Sequence, residues 1–243
     1  GIPVRLGEFD LVVVRENTEG FYADRNVASG GSEMLITPDV VVSLRRITRL
    51  CCERIARSAF ELAMTRKKHV TIVHKANVLK IGDGMFIDEC RKVGAEFPEV
   101  RVDDVIVDAM MAHVVRAPDR YDVVVTTNMF GDILSDLTAE MSGSLGLGGS
   151  LNAGSEHAMG QAAHGSAPDI AGQNIANPAS QVLSAAMLLN WYGQRKGKKP
   201  FVEAAAAIEA AMADAIAARE CTKDVGGTLG TREAGAAWVK RLG

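Results

Sequence analysis

The stretch Val123-Val124-Val125-Thr126-Thr127-Asn128-Met129-Phe130-Gly131-Asp132-Ile133-Leu134-Ser135-Asp136 decides how the chain is read. It opens on a β-branched, apolar run without alternation, as expected of a strand buried on both faces. Asp132 and Asp136 follow four residues apart, which puts them on one face if a helix starts there. Open α/β sheets gather their sites at the carboxyl ends of strands, and this is such a place. Like charges at that spacing repel by roughly 0.2–0.5 kcal/mol on an exposed helix. A hard divalent cation, Mg²⁺ or Mn²⁺, reverses the sign by accepting both carboxylates together with water and substrate oxygens. A capping aspartate beside a solvated one is the plainer alternative, and the pair alone leaves both open.

Outward from this stretch the pattern repeats. Asp10-Leu11-Val12-Val13-Val14 and the runs at 70–73 and 105–107 read as further buried strands. Helical stretches lie between them. The longest is expected to begin at Pro38-Asp39, where proline suits a first turn, and to carry Val42, Leu44, Ile47, Leu50, Ile55 and Leu62. A second covers 84–93. Strands alternating with helices predict an α/β layered domain over residues 1–142, and residues 143–243 form a second part. There, 142–154 is glycine-rich and reads as loop, without a GxGxxG cradle. Helices follow near 178–192 and 202–220. With so little sheet, this half is expected to need a partner segment, either upstream sequence or another chain.

Composition narrows the class. With 47% hydrophobic and 23% charged residues the chain is of ordinary globular type. A net charge of −3 offers no basic nucleic-acid surface. The basic clusters at 66–68 and 195–199 both fall just past helices and read as solvated surface. No run reaches the roughly 18–20 apolar residues of a membrane span. Cys51, Cys52, Cys90 and Cys221 have no paired CxxC spacing, so a reducing cytoplasm fits better than a disulfide framework.

Three more clusters carry candidate chemistry. Arg15-Glu16-Asn17-Thr18-Glu19-Gly20-Phe21-Tyr22 follows the first strand; its arginine offers a fork for a carboxylate, and its tyrosine a proton. His74-Lys75-Ala76-Asn77 follows the second strand, where the lysine is either a surface residue or, in a cleft, a base of depressed pKa. His74 reads as a structural neighbour. His164-Gly165-Ser166-Ala167-Pro168-Asp169-Ile170, with Asn174 and Asn177 beyond, permits close approach of backbone to ligand, and Asp169 suits a ribose diol. The bland reading is a loop before a helix capped by Asn177-Pro178.

Together, Val14–Gly20, His74–Leu79, Val107-Asp108-Ala109-Met110, Asn128–Asp136 and His164–Gly172 resemble, in order and over nearly the whole chain, the isocitrate/isopropylmalate family of β-decarboxylating dehydrogenases. The resemblance implies an isopropylmalate-dehydrogenase-like α/β fold with a mixed sheet and a helical and sheet-built dimerisation domain. It also implies a dehydrogenase using NAD and Mg²⁺ or Mn²⁺ on a small 2-hydroxy-3-carboxy acid. By the same resemblance Arg15 grips a substrate carboxylate and Tyr22 is the acid that completes turnover. Lys75 is the base, acting in the partner subunit's site of a homodimer. Asp108 crosses the dimer to join Asp132 and Asp136 at the metal. Asn77 lies near the nicotinamide, while His164, Gly165, Ser166, Ala167, Pro168, Asp169 and Asn177 cradle the adenosine end. Asp169 would repel a 2′-phosphate, which favours NAD over NADP.

The chain departs from the family in two places. Gln161-Ala162-Ala163 stands where the family has Glu-Pro-Val, and the family's N-terminal portion, with further substrate arginines and the substrate-reading helix, is absent. The chain as given is therefore expected to be inactive alone. Val107–Met110 resembles isopropylmalate enzymes, whereas His74-Lys75 and Thr126-Thr127-Asn128 resemble isocitrate or homoisocitrate enzymes. The reading leans to 3-isopropylmalate, with isocitrate, homoisocitrate or tartrate as alternatives. A non-catalytic regulatory subunit, or a carboxylate- or phosphate-binding module without redox chemistry, is the competing class.

Overall fold

The computed structural model describes residues 8–22 and 30–243. The chain divides into two compact units, and the division falls between Leu137 and Thr138.

In the first unit a four-stranded sheet holds β1 (Val12–Arg15), β4 (His69–His74), β5 (Arg101–Ile106) and β6 (Val123–Thr126) in the order β1-β6-β4-β5. All its pairings are parallel; antiparallel pairing among the described residues lies in two separate hairpins and an isolated bridge between Gly20 and Arg46. The central strands β4 and β6 are buried throughout, which is why they read as unbroken apolar runs. Helices α1 (Arg49–Met64) and α2 (Lys80–Gly94) connect the strands. They bury Cys52, Ala56, Ala59, Phe60, Phe86 and Cys90 against Val70, Ile72, Val123 and Val125. Gly94 at the end of α2 admits the Phe60 ring of α1, since a Cβ there would lie 2.9 Å from it.

The helix expected from Pro38-Asp39 is corrected. Residues Glu33–Thr37 and Val40–Ser43 form an antiparallel hairpin, β2 and β3, and α1 starts only at Arg49. Three consecutive valines favour extended backbone, and Thr48 supplies the real start, its hydroxyl accepting from the Cys51 amide. Val107, expected in a strand, begins α3 (Val107–Arg116). Arg66 is not simply solvated surface: it ion-pairs at 2.8 Å with both Asp10 and the fully buried Asp122. Burial and its two carboxylate partners act on it in opposite directions, and the partners win, holding its pKa above the usual value.

In the second unit the glycine-rich stretch is not only loop. β7 (Gly149–Ala153) and β8 (Ala158–Ala162) form an antiparallel hairpin against α5 (Ala179–Lys196). The small residues are what permits this, since a Cβ on Gly160 would meet the Ser184 carbonyl at 2.6 Å. α6 (Lys199–Ala217) and α7 (Thr231–Arg241) complete the unit. Its core joins Ala179, Met212, Ala215, Ala234 and Trp238. No helix of the described residues is long and apolar enough to cross a membrane.

Candidate active site

The parallel sheet places the candidate residues along its carboxyl edge. Arg15 is the last residue of β1, and α4 (Asn128–Met141) starts two residues after β6. Lys75 follows β4 directly, and Asp108 is the second residue of α3 after β5. Each lies where an open α/β sheet forms its site.

Arg15, Tyr22 and Asp132 come together. The Arg15 guanidinium donates through Nε to Asn128 Oδ1 at 2.9 Å and through Nη1 to Asp132 Oδ1 at 2.5 Å. The Tyr22 hydroxyl donates to Asp132 Oδ2 at 3.1 Å, and the Arg15 guanidinium carbon sits 6.0 Å from its ring centroid. Gly131 makes this possible, because a Cβ there would lie 2.6 Å from Arg15 Cγ and 2.7 Å from its Cβ. Asn128 is buried and also donates to the Glu19 carbonyl at 2.8 Å, so it fixes Arg15 to the loop that leads to Tyr22. Glu16 braces the same loop by accepting from the amides of Thr18 and Glu19. Asp136 is exposed one helical turn beyond Asp132.

Lys75 and Asp108 form a second group. The Lys75 ammonium pairs with the Asp108 carboxylate, and that hydrogen bond holds the Asp108 carboxyl below the usual carboxylate range. The lysine's backbone is clamped on both sides. Its amide donates to Asp83 Oδ2 at 2.5 Å, and its carbonyl accepts from Val78 and Leu79. His74 is buried; its Nδ1 accepts from the Ala76 amide at 3.0 Å, so its Nε2–H faces Asp104 at 3.2 Å. Burial raises Asp104, but His74 and Arg91 outweigh it and bring the carboxyl below its ordinary value. Asn77 is exposed in the turn beyond Lys75.

Sheet order sets Asp108, after β5, apart from Asp132, after β6, while Lys75 follows β4, which pairs directly with β6. β5 and β6 flank β4, so their ends lie about 10 Å apart at ~4.8 Å per strand. Donor oxygens around one Mg²⁺ lie within about 4.2 Å of each other, twice the metal–oxygen distance. Asp108, Asp132 and Asp136 are not gathered as such a group within the chain. Among the described residues no three such side chains come together as a metal site. Asp132 and Asp136 are two hard oxygen donors on one helix face, which is the donor chemistry that Mg²⁺ or Mn²⁺ takes.

The remaining candidates lie in the second unit. The loop from His164 to Asp169 is largely exposed, with Ala167 in left-handed backbone (φ +41°) and Asp169 in a 3-10 turn. A Cβ on Gly165 would meet nothing within 4 Å, so a ligand has room there. Asn177 is held at both ends of its amide. Oδ1 accepts from the Ala179 amide at the start of α5, and Nδ2 donates to Asp224 Oδ2 at 2.9 Å. Asp224 also accepts from Ser144 at 2.7 Å and Thr222 at 2.5 Å. Burial pushes its carboxyl up, while these hydrogen bonds and that of Asn177 bring it below the usual value.

Sequence reasoning missed Asn128, Gly131, Asp83, Arg45 and Asp224. Asn128 and Gly131 stood inside a quoted motif, but neither an acceptor that orients an arginine nor a glycine that makes room for it has a signature in spacing. Asp83 sits in a Gly-Asp-Gly run that reads as a turn.

A parallel sheet with acid–base and carboxylate side chains along its carboxyl edge defines an α/β enzyme. A family model described as isocitrate/isopropylmalate dehydrogenase matches residues 3–237. The chain is 42% identical to the 3-isopropylmalate/3-methylmalate dehydrogenase of Methanocaldococcus jannaschii, an alignment covering all of this chain and 70% of that protein. It is 43% identical to the isocitrate/homoisocitrate dehydrogenase of Thermus thermophilus, covering 96% of this chain and 66% of that protein. The crystal structure of isocitrate dehydrogenase from Methylococcus capsulatus matches with a TM-score of 0.89 at 40% identity, over all of this chain and 70% of that one. The chain thus spans about two thirds of the length of these relatives. It belongs to the isocitrate/isopropylmalate dehydrogenase family, whose members are decarboxylating dehydrogenases.

Proposed function

We propose that the protein oxidatively decarboxylates a 2-hydroxy-3-carboxy acid, 3-isopropylmalate, with NAD and Mg²⁺ or Mn²⁺, in sites shared by two copies of the chain. The observation that carries this is one chemical set along one sheet edge, paired as Arg15, Tyr22 and Asp132 and as Lys75 and Asp108, with no three metal-holding side chains gathered among the described residues of one chain.

Arg15 is assigned the substrate carboxylate, which its planar donors fit, and Asn128 fixes its orientation. Lys75 takes the proton of the C2 hydroxyl as hydride departs, and Tyr22 delivers a proton to C3 once CO₂ has left. Bound NAD would supply the hydride acceptor, and a cation held by Asp132, Asp136 and the partner subunit's Asp108 would supply positive charge to the oxygen on which charge develops. Asn77 is assigned to the nicotinamide end, and the loop from His164 to Asp169 with Asn177 to the adenosine end. The exposed Asp169 suits a ribose 2′-OH and repels a 2′-phosphate.

A homodimer is supported by the β2–β3 hairpin. Met34, Leu35, Ile36, Val40, Val41 and Val42 are all exposed, so both faces of a two-stranded sheet are apolar. An isolated hairpin is marginal in water, and a patch of this kind marks an interaction surface.

Relatives named for isopropylmalate and for isocitrate/homoisocitrate are equally similar, so substrate preference needs its own experiment. NADH formation by the complete protein is measured with 3-isopropylmalate, isocitrate, homoisocitrate and tartrate, with NAD and Mn²⁺. Highest kcat/KM on isopropylmalate supports the reading. Preference for isocitrate or homoisocitrate replaces the substrate, and ligand binding without NADH formation by the purified homo-oligomer favours a regulatory subunit.

A further inference from the structure

The geometry points to Asp83, neutralised by Arg45, as the positioning residue that sets the location of Lys75. This inference rests on the reading of Lys75 as the base. Asp83 stands in the first turn of α2 and is fully buried. Its two oxygens go in different directions: Oδ1 accepts from Arg45 Nη2 at 2.6 Å, and Oδ2 accepts from the Lys75 backbone amide at 2.5 Å. Arg45, with only 11% of its side chain exposed, reaches Thr127 Oγ1 at 3.3 Å. Its guanidinium carbon lies 5.6 Å and 5.8 Å from the ring centroids of Phe21 and Phe130. The site is built to admit it, since a Cβ on Gly82 would come within 2.9 Å of Arg45 Nη1.

A buried carboxylate is costly unless paired, and a buried ion pair seldom stabilises a fold more than apolar side chains of similar volume would. Stability alone therefore gives little reason for a charge here. What this pair does that apolar side chains cannot is hold one particular N–H, that of the residue carrying the base. With the Lys75 carbonyl fixed by Val78 and Leu79, the backbone amide is the remaining freedom of that residue's main chain. Asp83 removes it. Arg45 then refers this anchor to Phe21, the neighbour of Tyr22, and to the start of α4.

Two variants test this. Asp83→Asn places an amide against Arg45 and removes the charge. The double variant Arg45→Met with Asp83→Leu replaces the pair by apolar side chains and is expected to fold. A misplacement of about 1 Å costs on the order of a hundredfold in rate. Both variants are therefore expected to lose about 10- to 100-fold in kcat with KM changed less than about threefold, because the base acts in the transition state. The primary isotope effect from deuterium at C2 of the substrate should rise as the oxidation step becomes limiting, and Asp83→Glu should recover part of kcat. A purely structural defect lowers the active fraction and leaves the isotope effect unchanged. Lys75→Met serves as the control. If it retains activity, the assignment of the base fails. If it is inactive while a folded double variant shows wild-type kcat and isotope effect, the positioning role of Asp83 alone is overturned.

Discussion

Replacing Gly131 by alanine places a methyl group 2.6 Å from Arg15 Cγ, 2.7 Å from its Cβ and 3.2 Å from its Cδ. Carbon atoms in contact sit about 3.5–4.0 Å apart, so the overlap approaches 1 Å. Rotation of the Arg15 side chain relieves Cγ and Cδ but not Cβ, which moves only with β1. Overpacking of this kind costs about 1–3 kcal/mol, while glycine to alanine within a helix returns about 1 kcal/mol. The net loss of stability is thus small, about 0–2 kcal/mol. Function is hit harder, because the guanidinium can no longer satisfy Asn128 and face a carboxylate together. A hydrogen bond to a charged group contributes about 1.5–3 kcal/mol, or roughly 10- to 150-fold. Steady-state kinetics on Gly131→Ala should show KM for the hydroxy acid raised by that factor, close to the effect of Arg15→Met, with a melting temperature within a few degrees of wild type. A variant whose KM stays within twofold of wild type would refute both the packing argument and the assignment of Arg15.

Three further outcomes follow from other parts of the molecule. Asp224→Asn should cost about 1–2 kcal/mol at pH 7, at the low end for a charged acceptor because the carboxylate is in part exposed. The folded carboxyl is depressed below the unfolded value of about 3.9, so this contribution is present above pH ~4 and fades as pH falls through the folded pKa. In urea titrations of both proteins the stability difference should therefore be constant from pH 7 to about pH 5 and shrink as the pH is lowered below about 4. A thiol reagent should label Cys51 in the native protein. Cys52, Cys90 and Cys221 should react only on unfolding, since burial excludes reagent and raises all three thiols, Cys52 to about 12; early labelling of Cys52 or Cys90 would contradict the packing of α1 on α2. Leu35→Asp on the exposed hairpin should weaken self-association at least about a hundredfold, because each dimer would lose two buried leucines at roughly 1.5–3 kcal/mol each. Sedimentation equilibrium measures this, and an unchanged association constant would exclude the hairpin from the interface.

The parallel sheet was legible because its central strands are buried on both faces and so lack alternation, as at 70–73 and 123–125. Motifs directly after those strands were legible for the same reason: the fold puts strand ends at the site. The helix expected from Pro38 failed at its start because Val40, Val41 and Val42 favour extended backbone over the helical spacing read through Val42 and Leu44, and the hydroxyl that starts α1 belongs to Thr48. The β7–β8 hairpin was hidden because its residues are small, and their function is close approach to α5 rather than apolar burial. Asp83 was invisible for a different reason. Its meaning lies in the two donors it joins, one of them a backbone amide eight residues away and the other a side chain on the far side of α1 in sequence.

The central claim is that each active site is completed by a second copy of the chain, and mixing two inactive variants tests it most directly. Lys75→Met and Asp132→Asn proteins are each inactive alone on this account. Unfolded and refolded together at equal amounts, half of the dimers are mixed and each of these has one intact site, so NADH formation from 3-isopropylmalate should recover to about 25% of wild type. Recovery near that level supports a shared site. A mixture that forms mixed dimers yet stays as inactive as its parents would place Lys75 and Asp132 in the same site of the same chain and contradict the account.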